Sequence, residues 1–305
     1  MKVFHILKSQ KGTSLVFFAI MLTVIAGFAA ISVDIGLISY EKAKLSNTVD
    51  AAALAGAQEL LVNFSNTENI VNTYIDKNNS GLSEISIIAD NLTRSVEVSA
   101  TKPVNSYFAK VFGVLSQDVF ASAKASVENI SAMGGARPFA VVQQTFVYGN
   151  LYTLKEGASD GYSGNYNAIA LGGSGTNIYE NNLLYGYDGI ISVGDIIPTE
   201  PGVVARRTER AINTLVDNCN HLPACTHTEY KVNCSRIIFI PVVNTLEVNG
   251  RAYVLVLGFA TFFLEGADFM GGHTEIHGRF ITYQAQGETS PDVNDYGTYG
   301  IKLIK

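Results

Sequence analysis

Five residues able to ligate a metal or cross-link the chain crowd one short stretch: Cys219, His221, Cys225, His227 and Cys234, in the pattern C-x-H-x3-C-x-H-x6-C. They include all three cysteines of the sequence. Thiolates and imidazoles are soft to borderline donors, so the set has the chemistry for a zinc ion. The spacing lacks the C-x2-C knuckle usual in structural zinc sites. In an oxidising compartment two of the cysteines would instead close a small loop and leave the third free. On chain-entropy grounds such a crosslink stabilises by roughly 2–3 kcal/mol. The sequence does not say which pair forms. A disulfide-pinned loop is the expectation, with no metal and no other cofactor.

Other stretches approach catalytic chemistry and fall short of it. In HTEIH, residues 273–277, strand geometry would put His273, Glu275 and His277 on one face. Two imidazoles and a carboxylate could hold zinc, but no fourth ligand is evident and the order is not the helical HExxH motif. An exposed polar strand face is the simpler expectation. GYSGN at Gly161 and GGSGT at Gly172 each miss the G-x-S-x-G elbow by one position, in a glycine-rich stretch rather than a strand-to-helix turn. LGGSGTN, residues 171–177, has neither the Walker lysine nor the third Rossmann glycine. No catalytic motif is complete, so no enzymatic activity is expected.

The segments around these residues set their context. The chain has 305 residues, 47% hydrophobic and only 16% charged, with a net charge of −6. No cluster of Lys and Arg could neutralise a row of phosphates, which excludes a nucleic-acid partner. Much of the apolar excess lies in residues 12–33, GTSLVFFAIMLTVIAGFAAISV, which contain neither charge nor proline. As a helix this run spans roughly 33 Å, enough for a hydrocarbon core of about 30 Å. Lys2, Lys8 and Lys11 precede it and Asp34 and Glu41 follow. The positive-inside rule then puts residues 1–11 in the cytoplasm and the bulk of the chain outside, as a single-pass protein of the cell membrane. A cleaved secretory signal shares the basic start, but its apolar core usually runs only about 7–15 residues.

The helix pattern continues beyond the apolar run. Residues 34–61 hold no proline, and Ile38, Leu45, Val49, Ala52, Ala53, Gly56 and Leu60 recur near helical spacing. One helix through both halves would sit in lipid first and then lay one face on a globular domain. Asp34 would lie at the headgroup level, where it needs no buried partner; its alternative use is an ion pair made during assembly. The small residues 51–57, AAALAGA, offer a surface that another backbone can approach closely. Asp34, Asp50 and Gly56 are therefore candidate assembly positions.

Residues 11–60 resemble the N-terminal module of TadE/TadG-like proteins of the tight-adherence, or Flp, pilus machinery. The resemblance rests on Lys11-Gly12 before the apolar helix, SVDIG at residues 32–36, the polar turn at residues 40–44, and DAAALA at residues 50–55. It implies a membrane protein taking part in pilus assembly, with other pilus-assembly or pilin subunits as partners. Gly12 is the candidate processing site, but the glutamate that processed pilins carry five residues later is here Phe17. The resemblance thus implies an uncleaved accessory or minor pilin-like subunit.

Beyond the helix, assigned to residues 12–62, the expectation is an α+β chain. Residues 63–130 form a small α/β unit, with a helix at 68–78, two strands around Asp90 and Asn91, a short helix at 105–115 and another strand. Gly134 and Gly135 suggest a linker over 131–138. Residues 139–305 form a mostly β domain with one helix, at 205–218. That domain is larger than a simple pilin needs. The competing function is accordingly a membrane-tethered enzyme or ligand-binding module with its activity in residues 138–305.

Overall fold

The computed structural model describes residues 13–78, 81–156, 165–200, 205–247 and 251–304. They fall into two compact units, one ending at Ser126 and including residues 303 and 304, the other spanning Val127–Lys302.

In the first unit a single helix, α1 (Thr13–Leu60), covers 48 residues. Thr23 and Ser32 donate their hydroxyls to the carbonyls of Ala19 and Phe28 one turn back, so their polar atoms need no water. Side chains of residues 14–33 are almost all exposed, Phe17 at 69% and Phe28 at 70%. From Leu45 onward one face is buried: Leu45, Val49, Ala52, Ala53 and Ala57 are each wholly inaccessible. A helix bare of partners in its first half and packed in its second is what the two halves of its sequence dictate.

That packed face meets α2 (Thr67–Asn78), which buries Val71 and Ile75, and the hairpin of β1 (Glu84–Asp90) and β2 (Ser95–Asn105). Val96, Val98 and Ala100 of β2 supply the buried face of the hairpin. β3 (Ser116–Met133) pairs antiparallel with β2, from Asn105 opposite Ser116 to Ser95 opposite Ser126. The helix expected over 105–115 is only a 3₁₀ turn, Ala109–Phe112, ended by Gly113 in the left-handed region at φ 86°.

The second unit holds β4 (Phe139–Val142), β5 (Leu151–Glu156), β6 (Asn165–Ala168), α3 (Thr176–Tyr185), β7 (Ile191–Ser192), β8 (Ile196–Pro198) and α4 (Ala205–Asp217). The chain continues through β9 (Ile237–Val243), β10 (Tyr253–Met270), β11 (His273–Ile281), β12 (Tyr283–Gln284), β13 (Glu288–Ser290) and β14 (Thr298–Ile304), whose last two residues belong to the first unit. Pairing runs from β4 to β6, β5, β11, β10, β9 and back to β4, so six strands close into a barrel. Two of those pairs, β4 with β9 and β5 with β6, are parallel. Closure leaves these strands no free edge.

The second unit's largest core centres on Phe280, whose ring lies 4.0 Å from Phe146, 4.8 Å from Phe262 and 4.9 Å from Tyr152. α4 adds Ala211, Ile212 and Leu215 to this core. The Asn213 side chain donates to the Ala267 carbonyl and accepts from its N–H, both at 2.9 Å. It thereby substitutes for ladder bonds beside the bulge between Leu264 and Gly266.

Two expectations need correction. Among the described residues the β-rich domain has two helices: α3, in a stretch of Asn and Tyr that shows no apolar stripe, is held to α4 by Tyr179 and Thr208, oxygen to oxygen 2.9 Å. Residues 131–138 are not a linker. β3 continues through Met133, Ala136 bridges to Phe239, and the units divide earlier, between Ser126 and Val127.

Candidate functional site

Asp34 stands at the junction between the bare and the packed halves of α1, and it is only 5% exposed. Its Oδ1 accepts the backbone N–H of Tyr107 at 2.9 Å, and its Oδ2 accepts those of Phe108 at 3.0 Å and Ala109 at 2.7 Å. Three successive amides entering the 3₁₀ turn are thus satisfied by one carboxylate, as an N-cap residue would satisfy them. The expectation that Asp34 needs no buried partner is overturned. Seven residues on, Glu41 takes a 2.7 Å ion pair from Lys102 of β2. Asp34, Glu41 and Leu45, at helical spacing, share the face of α1 turned to the rest of the unit.

Gly56 is also spent within the fold. A Cβ there would meet Val71 Cγ2 at 2.6 Å and Val96 Cγ1 at 3.1 Å, so glycine is what lets α1 approach α2 and β2. Asp50 is half-buried on the same helix. Gly12 lies outside the described residues.

The segment clasped by Asp34 is unusual in what it leaves in the open. Val111 is 85% and Phe112 79% exposed, and Tyr107, Phe108 and Leu115 are exposed as well, with Lys110 among them. This apolar surface lies beside the point at which the helix stops being bare.

In the second unit the loop of residues 218–236 gathers four of the five residues singled out above. Cys219, His221, Cys225 and Cys234 have their ligand atoms all within 4.8 Å of one another. Cys219 Sγ lies 3.3 Å from Cys234 Sγ and 3.6 Å from His221 Nδ1, and Cys225 Sγ lies 3.3 Å from the same nitrogen. His227 is outside the group. The three cysteines stand as free thiols in this structure. Burial pushes the Cys219 thiol up, but contacts with His221 and Cys234 outweigh this and lower it to about 6. Burial pushes Cys234 up to about 12.

The residues of HTEIH do not converge. Lys155 pairs with Glu275 at 3.1 Å, His277 Nε2 lies 3.0 Å from Asp268, and His277 Nδ1 lies 3.1 Å from Thr153 Oγ1. His273 is exposed. They form a polar strand face. The serine of GYSGN lies outside the described residues, and GGSGT precedes α3 with Gly172, Gly173 and Gly175 at positive φ.

Residues 12–59 match the family model described as putative Flp pilus-assembly TadE/G-like. The match stops in the last turn of α1, so the N-terminal segment is TadE/G-like and the remainder of the chain lies outside it. No curated protein and no solved structure matches the chain. Among the described residues α1 is the one helix long and apolar enough to cross a membrane.

Proposed function

We propose that this chain is a non-catalytic, single-span envelope protein of Tad-type pilus assembly, an accessory or minor pilin-like subunit. One observation carries the proposal: the TadE/G-like segment coincides with a helix whose first half is apolar and bare and whose second half is packed into a folded unit. Such a helix holds its domain at a fixed distance from the bilayer. The basic residues before the helix and the acids after it orient residues 1–11 to the cytoplasm and both units outward.

The exposed segment 107–115 supports this placement. Tyr107, Phe108, Val111, Phe112 and Leu115 with Lys110 have the aromatic, aliphatic and basic composition of a bilayer interface. Asp34 ties that segment to the level at which α1 emerges. In this arrangement Asp34 sets the depth of the anchor, and other pilus-assembly subunits are the expected partners of the exposed surfaces.

Deletion in the native host tests the assignment. Loss of pili and of surface adhesion, restored by the full chain, is the expected result. Unchanged piliation in the deletion strain would count decisively against it. A tethered ligand-binding module is the second reading, favoured by a barrel that the family match leaves unaccounted for. It predicts unchanged piliation in the deletion strain and binding of a ligand by residues 138–305.

A further inference from the structure

The loop joining α4 to β9, residues 218–236, contains neither helix nor strand. Connections beyond about 12–15 residues with no regular structure are uncommon in compact domains unless something else orders them. Several hydrogen bonds within it close local turns, such as the Glu229 N–H to Thr226 Oγ1 at 3.0 Å and the Cys234 N–H to the Lys231 carbonyl at 3.2 Å, while Arg236 at its end reaches back to the Cys225 carbonyl. The sulfur and nitrogen cluster joins Cys219 at the loop's start to Cys234 near its end through Cys225 and His221.

We propose that Cys219, His221, Cys225 and Cys234 form a structural Cys3His zinc site that pins this loop to the barrel. Zinc binds thiolate sulfur at about 2.3 Å and imidazole nitrogen at about 2.0–2.1 Å, so tetrahedral donors stand about 3.5–3.8 Å apart. The separations of 3.3, 3.3 and 3.6 Å are near those edges. A disulfide between Cys219 and Cys234 would need their sulfurs at about 2.05 Å. It would also give no role to the approach of His221 Nδ1 to two sulfurs at once.

The surroundings suit a thiolate site. The Lys231 N–H points to Cys225 Sγ at 3.4 Å, and such amide donation to sulfur is the outer-shell support that metal thiolates use. Three thiolates, one neutral imidazole and a divalent ion leave one negative charge. Arg236 stands close by, donating to the Cys225 carbonyl at 3.1 Å with its guanidinium 4.5 Å from the centre of the Phe263 ring. Cys225 and Cys234 are buried with Ile237, Phe263 and Ile281, so the site is sheltered. Four protein ligands leave no open coordination position, which makes the role structural rather than catalytic.

The full chain, purified in detergent from its own host without chelator or reductant, tests the site. One zinc per chain is expected by elemental analysis, with all three cysteines alkylated after denaturation in the presence of a chelator. Stripped protein titrated with Co2+ alone should develop the visible ligand-field and sulfur charge-transfer absorption of a tetrahedral thiolate site, saturating at one equivalent. Cys225→Ser and His221→Ala should each weaken cobalt binding tenfold or more, and His227→Ala should leave it unchanged. If the Cys225 and His221 variants do not fold, the wild-type spectrum and stoichiometry still decide. A Cys219–Cys234 disulfide in the host-derived protein would overturn the proposal. So would three free thiols with no cobalt absorption.

Discussion

The Asp34 carboxylate accepts the backbone N–H of Ala109 at 2.7 Å, across 75 positions of sequence. The same carboxylate also takes the amides of Tyr107 and Phe108, so the residue that follows the apolar run joins the membrane helix to the unit it carries. A carboxylate at the end of a transmembrane segment is cheap if water reaches it. Here its oxygens are occupied by the protein, and its job is orientation.

Removing that carboxylate should loosen the segment of residues 106–115 before anything else. Asp34→Ala leaves three neighbouring amides without their acceptor, and unsatisfied donors cost more than the bond itself is worth. The variant should melt below the parent in detergent, with faster amide exchange at Tyr107, Phe108 and Ala109. Asp50→Ala on the same helix should shift the melt less. Equal effects from the two substitutions would show that the clasp carries no special share of the stability.

Gly56 sets a different test, because two effects oppose. Alanine in place of glycine favours a helix by about 1 kcal/mol. A methyl 2.6 Å from Val71 Cγ2 overpacks the interface, which costs about 1–3 kcal/mol. Gly56→Ala should therefore be destabilising by about 0–2 kcal/mol, and Gly56→Leu by clearly more. Chemical denaturation of the two variants measures the difference. A stabilised Gly56→Leu would mean that α1 does not pack closely there.

Much of this architecture is written locally. The stripe from Leu45 to Gly56, the helix at Ala205–Asp217 and the strand His273–Ile281 declare themselves by period, and the apolar run and the strand Ile237–Val243 by unbroken apolar sequence. Barrel closure does not, since the parallel pairing of Val141 with Val242 joins residues far apart in the chain and leaves no local trace. α3 is missed because its buried positions are Tyr179, Asn182 and Leu183, two of them polar-tipped. Asp34 is misjudged for the same non-local reason: its partners are backbone amides, which no side-chain pattern reveals. The choice of His221 over His227 in the cysteine cluster depends on the path of an irregular loop, which periodicity does not describe.

The β1–β2 turn carries a pH dependence of definite sign. Asp90 accepts the Thr93 hydroxyl and the Leu92 N–H, each at 2.8 Å. Those bonds, the Thr93 hydroxyl first, hold its carboxyl below the usual aspartate value. A depressed folded value means that the contribution is complete above the unfolded value of about 3.9 and is lost as pH falls through the folded one. Asp90→Asn should therefore be less stable than the parent at neutral pH, and the gap should close on acidification below pH ~4. Urea midpoints of both proteins across that range provide the check. A gap independent of pH would remove the carboxylate from the explanation.

The exposed segment beside Asp34 gives the most direct test of where the chain meets lipid. The sequence has no tryptophan, so Phe112→Trp introduces a single reporter at a position that is 79% exposed in the fold. A loop in solvent gives red-shifted emission that aqueous quenchers reach. A loop seated at the headgroup boundary gives blue-shifted emission that brominated lipids quench, because an indole prefers that interface. In proteoliposomes the second outcome is expected, together with loss of part of the lipid quenching when Asp34→Ala releases the clasp. Quenching by brominated lipid that is absent, or that Asp34→Ala leaves unchanged, would separate the segment from the membrane and leave α1 as the sole anchor.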